Sequence, residues 1–363
     1  MTGPATLQAL RCRAVQVPLK RPLGTSAAVV RAAPLVLLDL TTSDGAVGRS
    51  YVFAYRSGGA RAIAALRADV FELVRGLPAE PMAVAALLER RLALIGVTGV
   101  VRMALSALDA AIWDARAVAA GLPLARLLGG SLRPLRAYNS AGLGLIGAAA
   151  AADEACALLD GGFGAVKLRL GYASAAEDLA VTRAVRARLP DAVQLMVDYN
   201  QALDRAQALE RGRALDGEGV AWLEEPVRHD DWAANAEIAR TLALPLQLGE
   251  NFNGPAQMLQ ALDAGACDLV MPDLGRIGGV SGWMQAAALA AARGLPMSSH
   301  LMPEQSAHLL LATPTADWLE HVDWADALLQ RPLRVIDGTV QLADEPGSGL
   351  AWDEAAVARF ALD

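Results

Sequence analysis

The chain changes texture three times in its hydrophobic and polar patterning. Over residues 7–55, apolar runs at 7–17, 35–40 and 46–53 read as extended strands, and Ser43-Asp44-Gly45 is a turn signal before the third. This segment is predicted as a β-meander. Between its first two runs, Leu23-Gly24-Thr25-Ser26-Ala27-Ala28-Val29-Val30 is apolar but shows no core period, so it is predicted as a loop. From residue 59 the period becomes helical. Helices are predicted over 60–74 and 82–94, and a longer one over 98–120 is stopped by Gly121-Leu122-Pro123. From about residue 135, short apolar runs at 136–140, 165–170, 194–200, 220–226, 245–250, 269–273, 296–300 and 318–321 alternate with amphipathic helical stretches. Strands alternating with helices predict an α/β fold with a parallel sheet, and eight such units argue for a (β/α)8 TIM-type barrel rather than an open sheet. The chain thus divides into an α+β segment at 1–134, a barrel at 135–329, and a turn-rich tail at 330–363 expected to pack back on the first segment.

Composition narrows the classes of function. Of 363 residues, 54% are hydrophobic and 20% charged, which excludes a disordered tail-like chain. Acidic residues outnumber basic ones 39 to 32, for a net charge of −7, and no block of Lys and Arg appears. A nucleic-acid partner is therefore not expected. The N-terminus is interrupted by Pro4, Gln8, Arg11 and Arg13 and does not read as a signal peptide. The apolar stretch 143–152 is too short to span a bilayer and is stopped by Asp153 and Glu154. A soluble, cytoplasmic protein with no membrane partner is expected. Cys12, Cys156 and Cys267 are too few and too scattered for a disulfide framework and read as reduced core residues.

Barrel enzymes carry their catalytic side chains at the C-terminal ends of strands. Here the predicted strands end on polar residues almost every time: Lys167 and Arg169 on the second, Asp198 and Asn200 on the third, Glu224 on the fourth, Glu250 on the fifth, Asp273 on the sixth, His300 on the seventh and Glu320 on the eighth. Chance rarely sets polar groups in register with seven consecutive strands. Asp198, Glu224 and Glu250 come from adjacent strands, and three converging carboxylates repel one another unless a divalent cation lies between them. Hard oxygen ligands point to Mg2+, with Mn2+ as second choice; the bland alternative is a set of helix caps and ion pairs. Asp273 beside His300 fixes the imidazole tautomer and raises its basicity, which makes a general base. The other histidines, His229, His308 and His321, read as structural. Lys167 and Arg169 share one face of a strand and suit either a substrate carboxylate or ion pairing with barrel acids. A metal and a cation that neutralise a carboxylate, together with a base, allow removal of the proton on the adjacent carbon.

At these residues the sequence resembles the enolase superfamily, within it the mandelate racemase subgroup. The likeness extends over nearly the whole chain and includes Ala33-Pro34-Leu35-Val36-Leu37, Phe53-Ala54-Tyr55, Val197-Asp198-Tyr199-Asn200, Leu223-Glu224-Glu225-Pro226, Gly249-Glu250-Asn251, Met271-Pro272-Asp273, Ile277-Gly278-Gly279-Val280, Ser298-Ser299-His300-Leu301 and Ala312-Thr313-Pro314-Thr315. It implies a modified barrel under an α+β N-terminal capping domain. It also implies that Asp198, Glu224 and Glu250 hold Mg2+, that His300 with Asp273 is the base, and that Glu320 is the acid hydrogen-bonding a developing enolate. Lys167 becomes the cation at the substrate carboxylate and Ser140 a hydroxyl on the same side. Leu23 to Val30 and Tyr55 become the lid over the substrate, Asn200 borders it, and a symmetric homo-oligomer is expected.

One position departs from that pattern. The subgroup's racemases carry Lys-x-Lys on the second strand, with the second Lys as the base facing His; here the second place is Arg169. Arginine has a pKa above about 12 and hardly gives up its proton. Two-base racemisation is thereby in question, whereas dehydration needs one base, which His300 supplies. The apolar lid points the other way, toward an apolar 2-hydroxy acid. Three readings follow: a racemase-like enzyme on an apolar 2-hydroxy acid, an acid-sugar dehydratase, and a non-catalytic binder of small acids.

Overall fold

The computed structural model describes residues 4–362; the ends of the two predicted capping segments, 1–3 and 363, lie outside the described residues. Strands β1 (Leu7–Gly24), β2 (Val29–Thr42) and β3 (Val47–Phe53) form an antiparallel sheet in that order. The run at 35–40 is apolar at nearly every position because β2 is covered on both faces. Val36, Leu38 and Leu40 join a core with helices α1 (Ser57–Glu72), α2 (Pro81–Arg91) and α3 (Gly99–Ala120), while Leu35 and Leu37 join the core shared with the barrel. The sheet is thus the layer that seats the helices on the barrel. At Gly48 the approach is so close that a Cβ would collide with the Ala111 carbonyl of α3.

The predicted loop at 23–30 is corrected by the structure. β1 runs to Gly24, β2 starts at Val29, and Leu23 pairs with Val30. Only the tip turns, where Thr25 Oγ1 accepts hydrogen bonds from the backbone of Ala27 and Ala28. β-Branched and apolar residues favour extended backbone once they have cross-strand partners. The lid is therefore the end of a long hairpin.

The barrel strands follow in chain order: β4 (Leu135–Asn139), β5 (Ala165–Arg169), β6 (Gln194–Asp198), β7 (Val220–Glu224), β8 (Leu246–Leu248), β9 (Leu269–Val270) and β10 (Leu319–His321). They pair in parallel from β4 through β9, and β10 pairs β4. The predicted seventh strand at 296–300 is not a ladder but a chain of single bridges, Val270 to Met297, Met297 to Ala316 and Asp273 to His300, which carries the sheet from β9 toward β10. Pro272 and Pro296 each lack a donor N–H there, so the pairing is interrupted, although Ser298 N and His300 N still donate to the Val270 and Pro272 carbonyls and Ser299 N to that of Trp318. The tail first lies under the barrel: β11 (Val335–Ile336) and β12 (Thr339–Val340) form a hairpin whose second strand pairs with the foot of β4. It then reaches the capping sheet, where Ala361 bridges Val15. Of the three free cysteines only Cys267 is buried; Cys12 and Cys156 are half-buried, which corrects their reading as core residues. Among the described residues, no helix is long and apolar enough to cross a membrane.

Candidate active site

Strand period two builds the site in layers. Below the strand-end residues Ser140, Asp198, Glu224 and Glu320 stand Tyr138, Met196, Trp222 and Trp318, each two positions earlier. With Ala165, these four form their own buried cluster inside the barrel. This floor also orients the groups above it, because Trp222 Nε1 donates to Glu224 Oε2 at 3.1 Å.

Asp198, Glu224 and Glu250 come together so that one oxygen from each lies within 4.8 Å of the others. Asn200 fixes the first of them: its backbone N donates to Asp198 Oδ1 at 2.7 Å and its Nδ2 to Oδ2 at 3.0 Å. Burial pushes Glu224 up to about 8, with Lys167 opposing and Asp198 and Glu250 adding to the rise. Burial raises Asp198 as well. Buried carboxylates this close remain ionised together only when a cation sits among them, and an all-oxygen donor set of this charge fits a hard divalent ion. Glu250 behaves differently: burial would raise it, but His300 beside it holds it below the usual range.

His300 Nδ1 lies 2.7 Å from Asp273 Oδ2. An ionised carboxylate only accepts, so Nδ1 carries the hydrogen and Nε2 is left for chemistry. Nε2 stands 3.2 Å from Glu250 Oε2. Burial favours the neutral ring, but Glu250 and Glu320 outweigh it and raise the His300 pKa.

Lys167 lies among the acids: its Nζ is 2.7 Å from Glu224 Oε1, 2.9 Å from Glu320 Oε1 and 3.6 Å from Asp198 Oδ2. Glu320 also accepts from the Leu301 backbone N at 2.8 Å and from Ser140. Burial would raise its pKa, but Lys167 and His300 hold it down to about 2.

Arg169 is buried, and its guanidinium is tied to the first barrel strand. Nη1 donates to the carbonyls of Ser140 at 3.0 Å, Gly142 at 2.8 Å and Lys167 at 3.3 Å, and Nη2 donates to Ser140 Oγ at 2.7 Å. Ser140 therefore links Arg169 to Glu320.

These groups open into a cavity of about 550 Å³ under the lid. Lys167, Arg169, Asp198, Asn200, Glu250, His300 and Glu320 line it, and Leu23, Val30 and Tyr55 close it from the capping domain. Ser140, Glu224 and Asp273 stand behind that surface. Phe53, Tyr55 and Trp324 make an aromatic wall, with ring centroids 4.5 Å apart for Phe53–Tyr55 and 4.9 Å for Phe53–Trp324. His229, His308 and His321 do not line the cavity.

Sequence reasoning missed several wall residues. Gln16, Gln201, Asn251 and Arg276 give the cavity a polar side that the lid sequence alone does not suggest. Asn251 Nδ2 donates to Glu225 Oε2 at 2.7 Å and to Glu250 Oε1 at 3.1 Å, so it supports one of the converging carboxylates. Tyr55, Asn200, Gln201 and Leu301 line the cavity with φ between 45° and 63°, and Glu225 beside it has φ 35°. Each such non-glycine residue costs about 1 kcal/mol or more, and such conformations cluster at functional sites. Asn251 and Arg276 follow strand-end acids by one and three residues, which is a signal; their cross-loop contacts leave no trace in spacing.

Comparison with known proteins places this geometry. Residues 150–356 match the family described as enolase C-terminal domain-like, and residues 8–129 match the mandelate racemase / muconate lactonizing enzyme N-terminal domain. An enolase from the alpha proteobacterium bal199, crystallised with bound magnesium, is 43% identical with a TM-score of 0.96, covering 99% of this chain and all of its own. An enolase from Bradyrhizobium, complexed with magnesium and mandelic acid, is 41% identical with a TM-score of 0.95 over the full length of both. L-talarate/galactarate dehydratase of Salmonella typhimurium is 32% identical over 89% of this chain and 81% of its own length. Relatives of this kind are isomerases and lyases, and the chain is an enzyme of that kind, which sets aside the non-catalytic binder.

Proposed function

Because the chain belongs to the enolase superfamily, in its mandelate racemase / muconate lactonizing enzyme group, we propose that it dehydrates a 2,3-dihydroxy carboxylate in an Mg2+-dependent reaction with His300 as its one base. The observation that carries this reading is the commitment of Arg169. Its Nη1 is spent on carbonyls and its Nη2 on Ser140, and a guanidinium does not release a proton near neutral pH. Racemisation needs a base on each face of the substrate; elimination needs one.

The substrate carboxylate enters beside Lys167, which is then shared between the ligand and Glu320. Asp273 keeps the His300 ring in the tautomer whose Nε2 accepts. Nε2 takes the proton from C2, and the electron pair moves into the carboxylate to give an enediolate. As that pair returns, the C3–O bond breaks, and the departing hydroxyl leaves as water with the proton His300 has just accepted. The enol that remains becomes a 2-keto-3-deoxy acid. Asp198, Glu224 and Glu250 would hold Mg2+, which when bound would supply positive charge to stabilise the enediolate. The buried aromatic floor beneath excludes water and strengthens each of these electrostatic contacts.

A second reading, proton exchange on an apolar 2-hydroxy acid, is favoured by the aromatic wall of Phe53, Tyr55 and Trp324 and by the mandelic acid bound to the Bradyrhizobium relative. One experiment separates the two. The Mg2+-loaded protein is incubated with a panel of aldonic and aldaric acids, and separately with each enantiomer of an aryl 2-hydroxy acid in D2O. Dehydration predicts 2-keto-3-deoxy product from at least one sugar acid, absent in His300→Asn. A panel without product, or product formation surviving in His300→Asn, overturns the dehydratase; exchange of a single aryl enantiomer in its place establishes the second reading.

A further inference from the structure

The cavity holds a cation for which the mechanism above has no use. Arg276 sits in the short helix Leu274–Ile277 that follows β9, and its backbone N is capped by Asp273 Oδ1 at 3.1 Å. β5, which carries Lys167, is the second barrel strand, and β9 is the sixth. In an eight-stranded barrel those positions face each other across the mouth, so the cavity has a cation on each of two opposite walls.

Arg276 is oriented but not neutralised. Its guanidinium carbon stands 4.5 Å from the centroid of the Tyr55 ring, and Nη1 donates to Asn251 Oδ1. Among the described residues no carboxylate forms an ion pair with it, and the hydrogen bond from its guanidinium is the one from Nη1 to Asn251, while the side chain lines the cavity. Burial would weaken the charge, but Tyr55, Asp273, Glu250 and Glu225 raise the Arg276 pKa further above its ordinary value. Two hydrogen bonds connect it to the metal-binding acids: Arg276 to Asn251, and Asn251 to Glu250. Stacking on Tyr55 fixes the guanidinium plane, and a planar fork with free donors matches a carboxylate.

We propose that Arg276, seated on Tyr55, reads the far end of the substrate and takes a second carboxylate there. The preferred ligand is then a short hydroxy diacid, with one carboxylate at Lys167 and the other at Arg276. This rests on the reading of the site as one for 2-hydroxy acids.

The test is binding, measured by calorimetry on the Mg2+-loaded protein. The probes are 2-hydroxy dicarboxylates of increasing length without a 3-hydroxyl, which are not dehydrated, each compared with the 2-hydroxy monocarboxylate of equal length. A bidentate charged contact predicts that the best-fitting diacid binds about ten- to a hundredfold more tightly than its monoacid partner. Arg276→Met brings that ratio to within about twofold of unity, and Arg276→Lys retains part of the preference. Arg276→Gln provides the same comparison if the Met variant is not folded by thermal melt. A wild-type ratio near one at every length, or a ratio unchanged in Arg276→Met, overturns the subsite alone. If neither series binds in an Mg2+-dependent way, the reading of the site itself fails and the subsite fails with it.

Discussion

Arg169→Lys converts the question of one base or two into a measurement. In the wild type the guanidinium is held by three carbonyls and Ser140 Oγ. At pH 8, a group with a pKa of about 12 is neutral in about one molecule in 10⁴, whereas a lysine at about 10.4 is neutral in about one in 250. The gain in available base is therefore at least about fortyfold, and burial beside Lys167 lowers a lysine further. The cost falls on the fold: Lys cannot reach all the carbonyls that Arg169 serves, and buried acceptors left without donors cost about 1–3 kcal/mol. The assay is proton NMR in D2O, following C2–H of each enantiomer of a bound 2-hydroxy acid with Mg2+ present. Wild type exchanges one enantiomer; Arg169→Lys also exchanges the other, at a rate at least tens of times above the wild-type background, and so racemises. In the double variant with His300→Asn, only the new exchange survives. A folded, Mg2+-binding Arg169→Lys that leaves the second enantiomer untouched refutes the placement of Arg169 opposite His300, and a wild type that exchanges both enantiomers equally refutes the one-base scheme.

Other expectations follow from single contacts. Asp273→Asn removes the carboxylate that holds His300 Nδ1–H, so kcat falls by about a hundredfold or more, while the thermal shift on adding Mg2+ stays as in the wild type. Mg2+ at a hundred times its Kd stabilises the fold by about 2.7 kcal/mol, read as a rise in Tm that EDTA reverses and Glu224→Gln lacks. The affinity for Mg2+ weakens as pH falls below about 8, because Glu224 without a cation holds its proton up to that pH; titrations at stepped pH check this. His308 is buried, accepts a hydrogen bond from the Ala125 backbone N at 3.2 Å, and has its pKa pushed by burial down to about 4 from 6.5. A depressed folded-state pKa contributes stability above pH 6.5 that is lost as pH falls toward 4. The gap amounts to about 3 kcal/mol at most, so denaturant melts of wild type and His308→Gln differ in their pH slope across that window and not above it.

The fold was legible where burial imposes a period and illegible where pairing overrides it. The barrel could be read because each strand buries one set of residues and presents a polar one at its end, so register survives in one dimension. The hairpin at the lid could not. Leu23, Val29 and Val30 are apolar because they face one another and the cavity, and a segment stabilised by its partner strand and its ligand carries no period of its own. The seventh strand is reduced to single bridges for the converse reason: its sequence reads as extended and its backbone bonds both neighbours, but Pro272 and Pro296 each remove a rung.

The site divides along the same line, and the division bears on substrate choice. Groups that end strands, such as Asp198, Glu224, Glu250, Asp273, His300 and Glu320, are evenly spaced in the chain because they share one geometric role. Groups that choose a substrate are spread over loops and over the capping domain. The aromatic wall of Phe53, Tyr55 and Trp324 and the polar side of Asn251 and Arg276 meet only in space. A lid read from sequence as apolar is therefore half a cavity. The structure supplies the other half, in which the Arg276 guanidinium lines the cavity from the sixth barrel strand, opposite the strand of Lys167. On the proposed reading the strand-end set fixes where the proton leaves, and the pairing of Tyr55, just after β3, with Arg276, in the short helix after β9, selects which acid is there to lose it. Exchanging those two residues should alter the preference among acids and leave the face of proton removal unchanged.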